Sequence, residues 1–184
     1  MAFAQEKAVQ LALKDRSKKG SIDTEIKEVV DAVNAKSGYY TTSSCAGRII
    51  LLVRKSERKK DTSWLLISHA PIAAEDILRI PLPEHPVWLK QEGFILHVAC
   101  KDIGAAERLL KAARLCVKRA GIISTSGRIV VEIASTEFLE TIVADKKKWL
   151  ASKAYLRRLV AESNQRMQRN QERLALFFSE VQKL

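Results

Sequence analysis

Cysteine is scarce in this chain of 184 residues. Cys45, Cys100 and Cys116 form an odd set without C-x-x-C spacing, so neither a disulfide framework nor a cysteine zinc site is expected, and all three read as reduced thiols. Glycine and proline are few, seven and four, which excludes collagenous and low-complexity chains. The longest apolar runs, Ile49–Val53 and Leu174–Phe178, are five residues each, whereas a bilayer-spanning helix needs about 20. Met1–Lys7 carries acid and amide where a secretion signal would place a basic cluster before an apolar block. The expected location is therefore cytoplasmic, with no membrane partner. His69, His85 and His97 are scattered and have no carboxylate cluster beside them, so no metal is expected. Phosphate-loop, G-x-G-x-x-G, H-E-x-x-H and G-x-S-x-G patterns are all absent, which speaks against a Rossmann nucleotide site and the common hydrolase centres.

What is present is a globular composition, 47% apolar and 29% charged, with a net charge of +11. A polyanionic partner is the first reading of that charge, and a solvated basic face the bland one. The excess is concentrated in residues 146–184, where ten Lys and Arg face Glu162, Glu172 and Glu180. There Trp149, Leu156, Val160, Met167, Leu174, Phe178 and Val181 form the apolar stripe of one long helix, or of two broken near Ser163 and Asn164, with the basic face left free.

Periodicity organises the remainder. Phe3, Lys7, Leu11 and Asp15 predict a first helix, stopped by Ser17–Gly20. Ile26, Val29, Val30 and Val33 predict a second, capped by Ser21 or Asp23 and ended by Gly38. Ile49–Val53 and Trp64–Ser68 read as antiparallel strands joined by a basic loop. Four prolines make Ile72–His85 a connector with one short helix at Ala73–Leu78. Phe94–Cys100 is a strand, Asp102 an N-cap, Ala106 to Val117 a helix ending at Gly121, and Ile129–Ile133 a strand. Thr42–Leu51 is echoed by Ile122–Val131, each with hydroxyl residues, Gly-Arg and a strand start. Duplication and convergence of two turns both explain the echo. The expected fold is α/β of the α+β type, non-Rossmann. It is a single domain over 1–184, with helix–strand halves at about 1–70 and 93–145 and a C-terminal helical segment at 146–184.

Two groups of residues invite chemistry. Thr41–Arg48 reads as a hydroxyl-rich loop in which Gly47 permits close backbone approach and Arg48 offers a donor fork for carboxylate or phosphate. A turn whose hydroxyls satisfy its own backbone is the structural alternative. His97 shares a strand face with Ile95 and Ala99, where it can line a cleft or serve as a hydrogen-bonded structural histidine.

Taken in order, Asp15-x-Ser17-x-Lys19-Gly20-Ser21-x-Asp23, Tyr40–Cys45 with Gly47-Arg48, Trp64–His69 and Phe94–Val98 resemble the wybutosine-synthesis family of tRNA methyltransferases, the third enzyme of that pathway, with its archaeal relatives. The resemblance runs almost end to end, with Asn164 and Asn170 in the closing helix. Ala46 departs from it, standing where the family often has a second serine. The resemblance implies S-adenosyl-L-methionine-dependent methylation of nitrogen 4 of a wyosine-type tricyclic base, 7-aminocarboxypropyl-demethylwyosine, beside the anticodon of tRNA(Phe). Asp15, Asp23, His69 and His97 are then candidates for base or orienting roles. Ser17, Lys19, Ser43, Ser44, Cys45, Gly47 and Arg48 are candidates for cofactor or substrate binding. Arg54, Lys55, Arg58, Lys59, Lys60, Lys147, Arg157, Arg158 and Arg166 would hold tRNA phosphates. A non-catalytic RNA-binding module, its serine loop gripping a phosphate, is the competing class, and homo-oligomerisation is left open.

Overall fold

The computed structural model describes residues 2–13, 21–54 and 61–184. Asp15, Ser17, Lys19, Lys55, Arg58, Lys59 and Lys60 lie outside the described residues. In chain order the elements are α1 (Phe3–Ala12), α2 (Thr24–Ala35), β1 (Tyr39–Cys45), β2 (Arg48–Arg54), β3 (Thr62–Ser68), α3 (Ala74–Leu78), β4 (Val87–Glu92), β5 (Ile95–Cys100), α4 (Ile103–Arg114), β6 (Arg119–Ser124), β7 (Ile129–Ala134), β8 (Leu139–Asp145), β9 (Lys148–Trp149) and α5 (Lys153–Gln182). They form an α+β fold with two antiparallel sheets. Two compact units result: Met1–Ala46, Phe94–Thr136 and Gln171–Leu184 make the first, Gly47–Gly93 and Glu137–Asn170 the second. The segments 1–70 and 93–145 each contribute to both.

The first unit's sheet has the order β1-β5-β7-β6. Because side chains alternate across a strand, Leu96, Val98 and Cys100 of β5 and Val131 and Ile133 of β7 enter one core. Ile26, Val29, Val30 and Val33 of α2, Ala106 and Leu109 of α4, and Leu174, Phe177 and Val181 of α5 join them there. The Asp102 carboxylate caps α4 by accepting the Ala105 N–H at 2.7 Å, as the sequence predicts. The helix does not run to Gly121, however. It stops at Arg114, and Gly121 lies in β6 opposite Glu132, because residues 119–124 find a hydrogen-bond ladder on β7 in place of further helical turns.

The second unit's sheet has the order β3-β2-β4-β8-β9. Ile49, Leu51 and Val53 share a core with Val87, Leu89, Val143, Ile72, Ile77, Leu156, Val160 and Met167. The stretch 146–184 differs from expectation only at its start, where Trp149 belongs to β9. From Lys153 onward it is the first of the two alternatives, one long helix unbroken through Ser163 and Asn164. Both polar residues are satisfied within the fold, which removes the reason for a break. Ser163 Oγ donates to the Leu159 carbonyl at 2.9 Å. Asn164 clamps Ile72, accepting its N–H at 3.0 Å and donating to its carbonyl at 2.8 Å. Among the described residues, no helix is long and apolar enough to cross a membrane.

Candidate functional site

The hydroxyl-rich stretch is a strand rather than a loop. Thr41–Cys45 lies within β1 and pairs with β5, because Thr and Ser half-buried beside apolar neighbours suit a ladder as well as a turn. The consequence is that the serines separate. Ser44 opposes Leu96, whose side chain enters the helix-covered core, while a bulge between Thr41 and Ser43 sets Ser43 opposite His97. On β7, Glu132 is the next partner of His97. Ser43, His97 and Glu132 thus form one polar row across the face of the sheet opposite that core.

His97 Nε2 donates to Glu132 Oε2 at 3.0 Å, and Arg119 donates to Glu132 Oε1 at 2.9 Å. The His97 hydrogen bond, reinforced by Arg119 against the cost of burial, holds the Glu132 carboxyl below the usual carboxylate range. A carboxylate can only accept from His97, so the neutral imidazole carries its hydrogen on Nε2 and its lone pair on Nδ1. The outcome is an imidazole with a fixed tautomer and ring orientation. Sequence reasoning missed Glu132 and Arg119. The available signal was a lone acid inside the apolar run Ile129–Ile133.

Next to this row, Tyr40 opposes Ala99, two residues along β5 from His97. A cleft of about 380 Å³ opens there, lined by Phe3, Glu6, Tyr40, Lys101 and Arg128 among others. The Phe3 and Tyr40 rings lie 5.3 Å apart, and Glu6 pairs with Arg128. Tyr40 is wholly buried, and its hydroxyl completes no hydrogen bond of ordinary geometry. Burial, opposed by Arg128 and assisted by Glu6, raises its pKa. Burial also pushes the Cys100 thiol at the cleft wall up to about 12, so it is protonated and no nucleophile.

Of the remaining candidates in the first unit, Cys45 opposes Ile95 on the His97 face. Asp23 stands at the N-cap of α2, yet its carboxylate accepts the Ala46 N–H at 3.0 Å rather than capping that helix. Gly47, Arg48 and His69 fall in the second unit. His69 Nδ1–H donates to the Gly47 carbonyl at 2.9 Å. Gly47 has φ +86°, and a Cβ there would lie 2.5 Å from the Glu92 carbonyl oxygen. Arg48 Nε donates to Glu92 at 3.0 Å, with its guanidinium over Trp64.

The basic face expected to be free is laced with carboxylates. Arg157 pairs with Glu75, Arg158 and Arg166 with Glu162, Lys147 with Glu84, and Arg54 with Glu140. Lys147, Arg157 and Arg158 are nonetheless more than half exposed, and such surface pairs contribute little and yield readily to phosphate. Among the described residues, no group of His, Cys, Asp and Glu could hold a metal ion.

Comparison with known proteins is consistent along the whole chain. The family model described as "Methyltransferase TYW3" matches residues 4–183. The tRNA wybutosine-synthesizing protein 3 homolog of Mus musculus is 34% identical, covering 98% of this chain and 73% of that protein. An Archaeoglobus fulgidus protein named tRNA(Phe) 7-((3-amino-3-carboxypropyl)-4-demethylwyosine(37)-N(4))-methyltransferase is 36% identical, over 83% of this chain and 79% of its own length. Among solved structures, PH1069 from Pyrococcus horikoshii superimposes with a TM-score of 0.85 at 27% identity, covering 97% of this chain and 93% of that one.

Proposed function

The chain belongs to the TYW3 methyltransferase family, and from that premise we propose that it methylates nitrogen 4 of 7-aminocarboxypropyl-demethylwyosine at position 37 of tRNA(Phe), as the name of its Archaeoglobus relative describes. The end-to-end family match carries this reading. Nothing in the fold or the relatives favours a non-catalytic RNA-binding module.

The proposed methyl donor is S-adenosyl-L-methionine, which supplies an electrophilic methyl group on a sulfonium for in-line displacement by nitrogen. The cleft beside the polar row suits the methionine end of that donor. Its volume is in the range of small-molecule sites, Lys101 and Arg128 suit a carboxylate, and Glu6 suits an ammonium. The Tyr40 hydroxyl offers a buried hydrogen-bonding group still in need of a partner. Ser43 and His97 then face substrate from the adjoining row. As the ring nitrogen forms its new bond to carbon it must shed a proton, and the lone pair on His97 Nδ1 receives it while Glu132 stabilises the imidazolium. Asp23 and His69, both engaged by backbone groups, act as positioning residues in this reading, while Gly47 and Arg48 shape the start of β2.

The test incubates the protein with labelled S-adenosyl-L-methionine and tRNA(Phe) bearing the demethylated tricyclic base, followed by nucleoside mass spectrometry. One added methyl group is expected, together with a loss of about 10²-fold or more in His97→Gln, the ordinary worth of a general base. No transfer by folded, tRNA-binding protein would overturn the reading.

A further inference from the structure

The second unit's sheet has two unlike faces. One carries Ile49, Leu51, Leu89 and Val143 into a core shared with α3 and residues 153–170 of α5. The opposite face carries two cations placed over aromatic rings. The Arg48 guanidinium lies 4.9 Å from the centre of the Trp64 ring, and that of Arg54 lies 5.0 Å from the Trp88 ring. Register aligns these residues, since Trp64 and Trp88 flank Leu52 from β3 and β4 while Ile142 of β8 sits beyond Trp88. Its outer strands are open to solvent: Trp64 and Ile67 on β3 are each 43% exposed and Ile142 on β8 is exposed, while Ile50 and Leu52 between them on β2 are buried. Such large apolar groups gathered on a sheet face mark an interaction surface.

The charges indicate what kind. Glu92 and Glu140 hold Arg48, Arg54 and Lys90 from the side, at 3.0, 3.3 and 3.0 Å. Three cations against two carboxylates leave the face positive. A partner matching this chemistry offers flat π-systems together with phosphates. An RNA duplex hides its base faces, whereas unpaired loop nucleotides present them.

We propose that this sheet face is a stacking platform for unpaired nucleotides of the tRNA substrate, with exposed Trp64 and the half-buried Arg48 as its first pair and Trp88 and Arg54 as the second. The proposal deepens the tRNA methyltransferase reading and rests on it for the source of the RNA. Stacking is sequence-tolerant because every base has a π-face. Phosphate contacts set the salt dependence and stacking does not, so the two contributions separate experimentally.

The probe is a fluorescently labelled, unmodified anticodon stem–loop RNA, compared with a fully paired duplex of similar length, in anisotropy titrations without any methyl donor. Trp64→Ala should weaken stem–loop binding about tenfold, leave the salt slope unchanged and barely alter duplex binding. Trp64→Leu, which retains apolar bulk on the strand, should lose as much, and Trp64→Phe, which retains a π-face, should recover most of the affinity. Thermal melting of each variant shows that it is folded. Stem–loop binding by Trp64→Leu within twofold of the parent would overturn the platform and leave the face to a protein partner. Loop binding that does not depend on Trp64, with methyl transfer intact, refutes this inference alone. Absence of transfer with Trp64-dependent loop binding intact refutes the methyltransferase reading alone.

Discussion

Gly47 and Gly127 form a matched pair for separating backbone strain from steric collision. Both have positive φ, +86° and +73°, so Ala at either position meets the left-handed penalty, about 1–2 kcal/mol. Their surroundings differ. A Cβ at Gly127 meets nothing within 4 Å, whereas at Gly47 it meets the Glu92 carbonyl oxygen at 2.5 Å and the Gly93 carbonyl carbon at 2.9 Å. Those atoms are backbone at the end of β4, directly across from Arg48 in the ladder, so relief requires shifting a strand rather than turning a side chain. Gly127→Ala should therefore cost about 1–2 kcal/mol, the strain alone. Gly47→Ala adds the displaced ladder and should cost about 3 kcal/mol or more, in the range of other disruptive core changes. For a chain of this length that is a fall in Tm of roughly 6–12 °C, against about 2–8 °C for Gly127→Ala. Urea unfolding followed by circular dichroism, with midpoint and slope both read, measures the difference. Equal losses at the two positions would refute the collision argument and leave strain as the whole effect.

Two further outcomes follow from polar groups. Glu132 is held below the usual carboxylate range by His97 and then Arg119. A depressed folded pKa contributes stability that is full above the unfolded value, near 4.3, and is lost as pH falls through the folded one. Glu132→Gln should accordingly lower Tm at pH 7, with the gap from the parent closing as pH falls below the unfolded value and through the lower folded one, and a penalty independent of pH would refute the linkage. Asn164→Ala deprives Ile72 of partners for both its N–H and its carbonyl, which should cost about 2–4 kcal/mol in urea unfolding. A loss under about 1 kcal/mol would mean that water replaces the clamp.

Helices were legible from the apolar stripe at 3.6 spacing, whether the cap formed, as at Asp102, or not, as at Asp23. Ile26–Val33 and the Asp102-capped helix are buried on the faces the sequence predicts. Strands were legible as apolar runs, which explains both what was found and what was missed. Val87–Glu92 alternates Val, Leu and Gln inward with Trp, Lys and Glu outward, and that pattern lacks a run. Tyr39–Cys45 carries turn-forming hydroxyls whose ladder becomes evident only once β5 lies beside it. The site divides in the same way. Ser43 and His97 were singled out separately, but their shared row depends on a one-residue bulge, and no local pattern encodes such a register shift. Glu132 acquires meaning only through the cross-strand partner that it orients.

The interleaving of the two units has a consequence for synthesis and for engineering. Phe177 and Val181, wholly buried in the first unit's core, lie in its last segment, and Ile26 and Val29 in its opening one. A ribosome releasing this chain from the N-terminus cannot complete that core until nearly all of the sequence has emerged, so folding of the N-terminal part ahead of the rest is closed to it. Contacts between such distant segments must wait for loop closure, which slows folding. For the same reason neither unit can be obtained by a single cut. Expressing the first alone means joining three pieces, and deleting from Leu174 onward should leave the α2 and α4 stripes without part of their apolar cover while the second unit's core keeps every side chain it has.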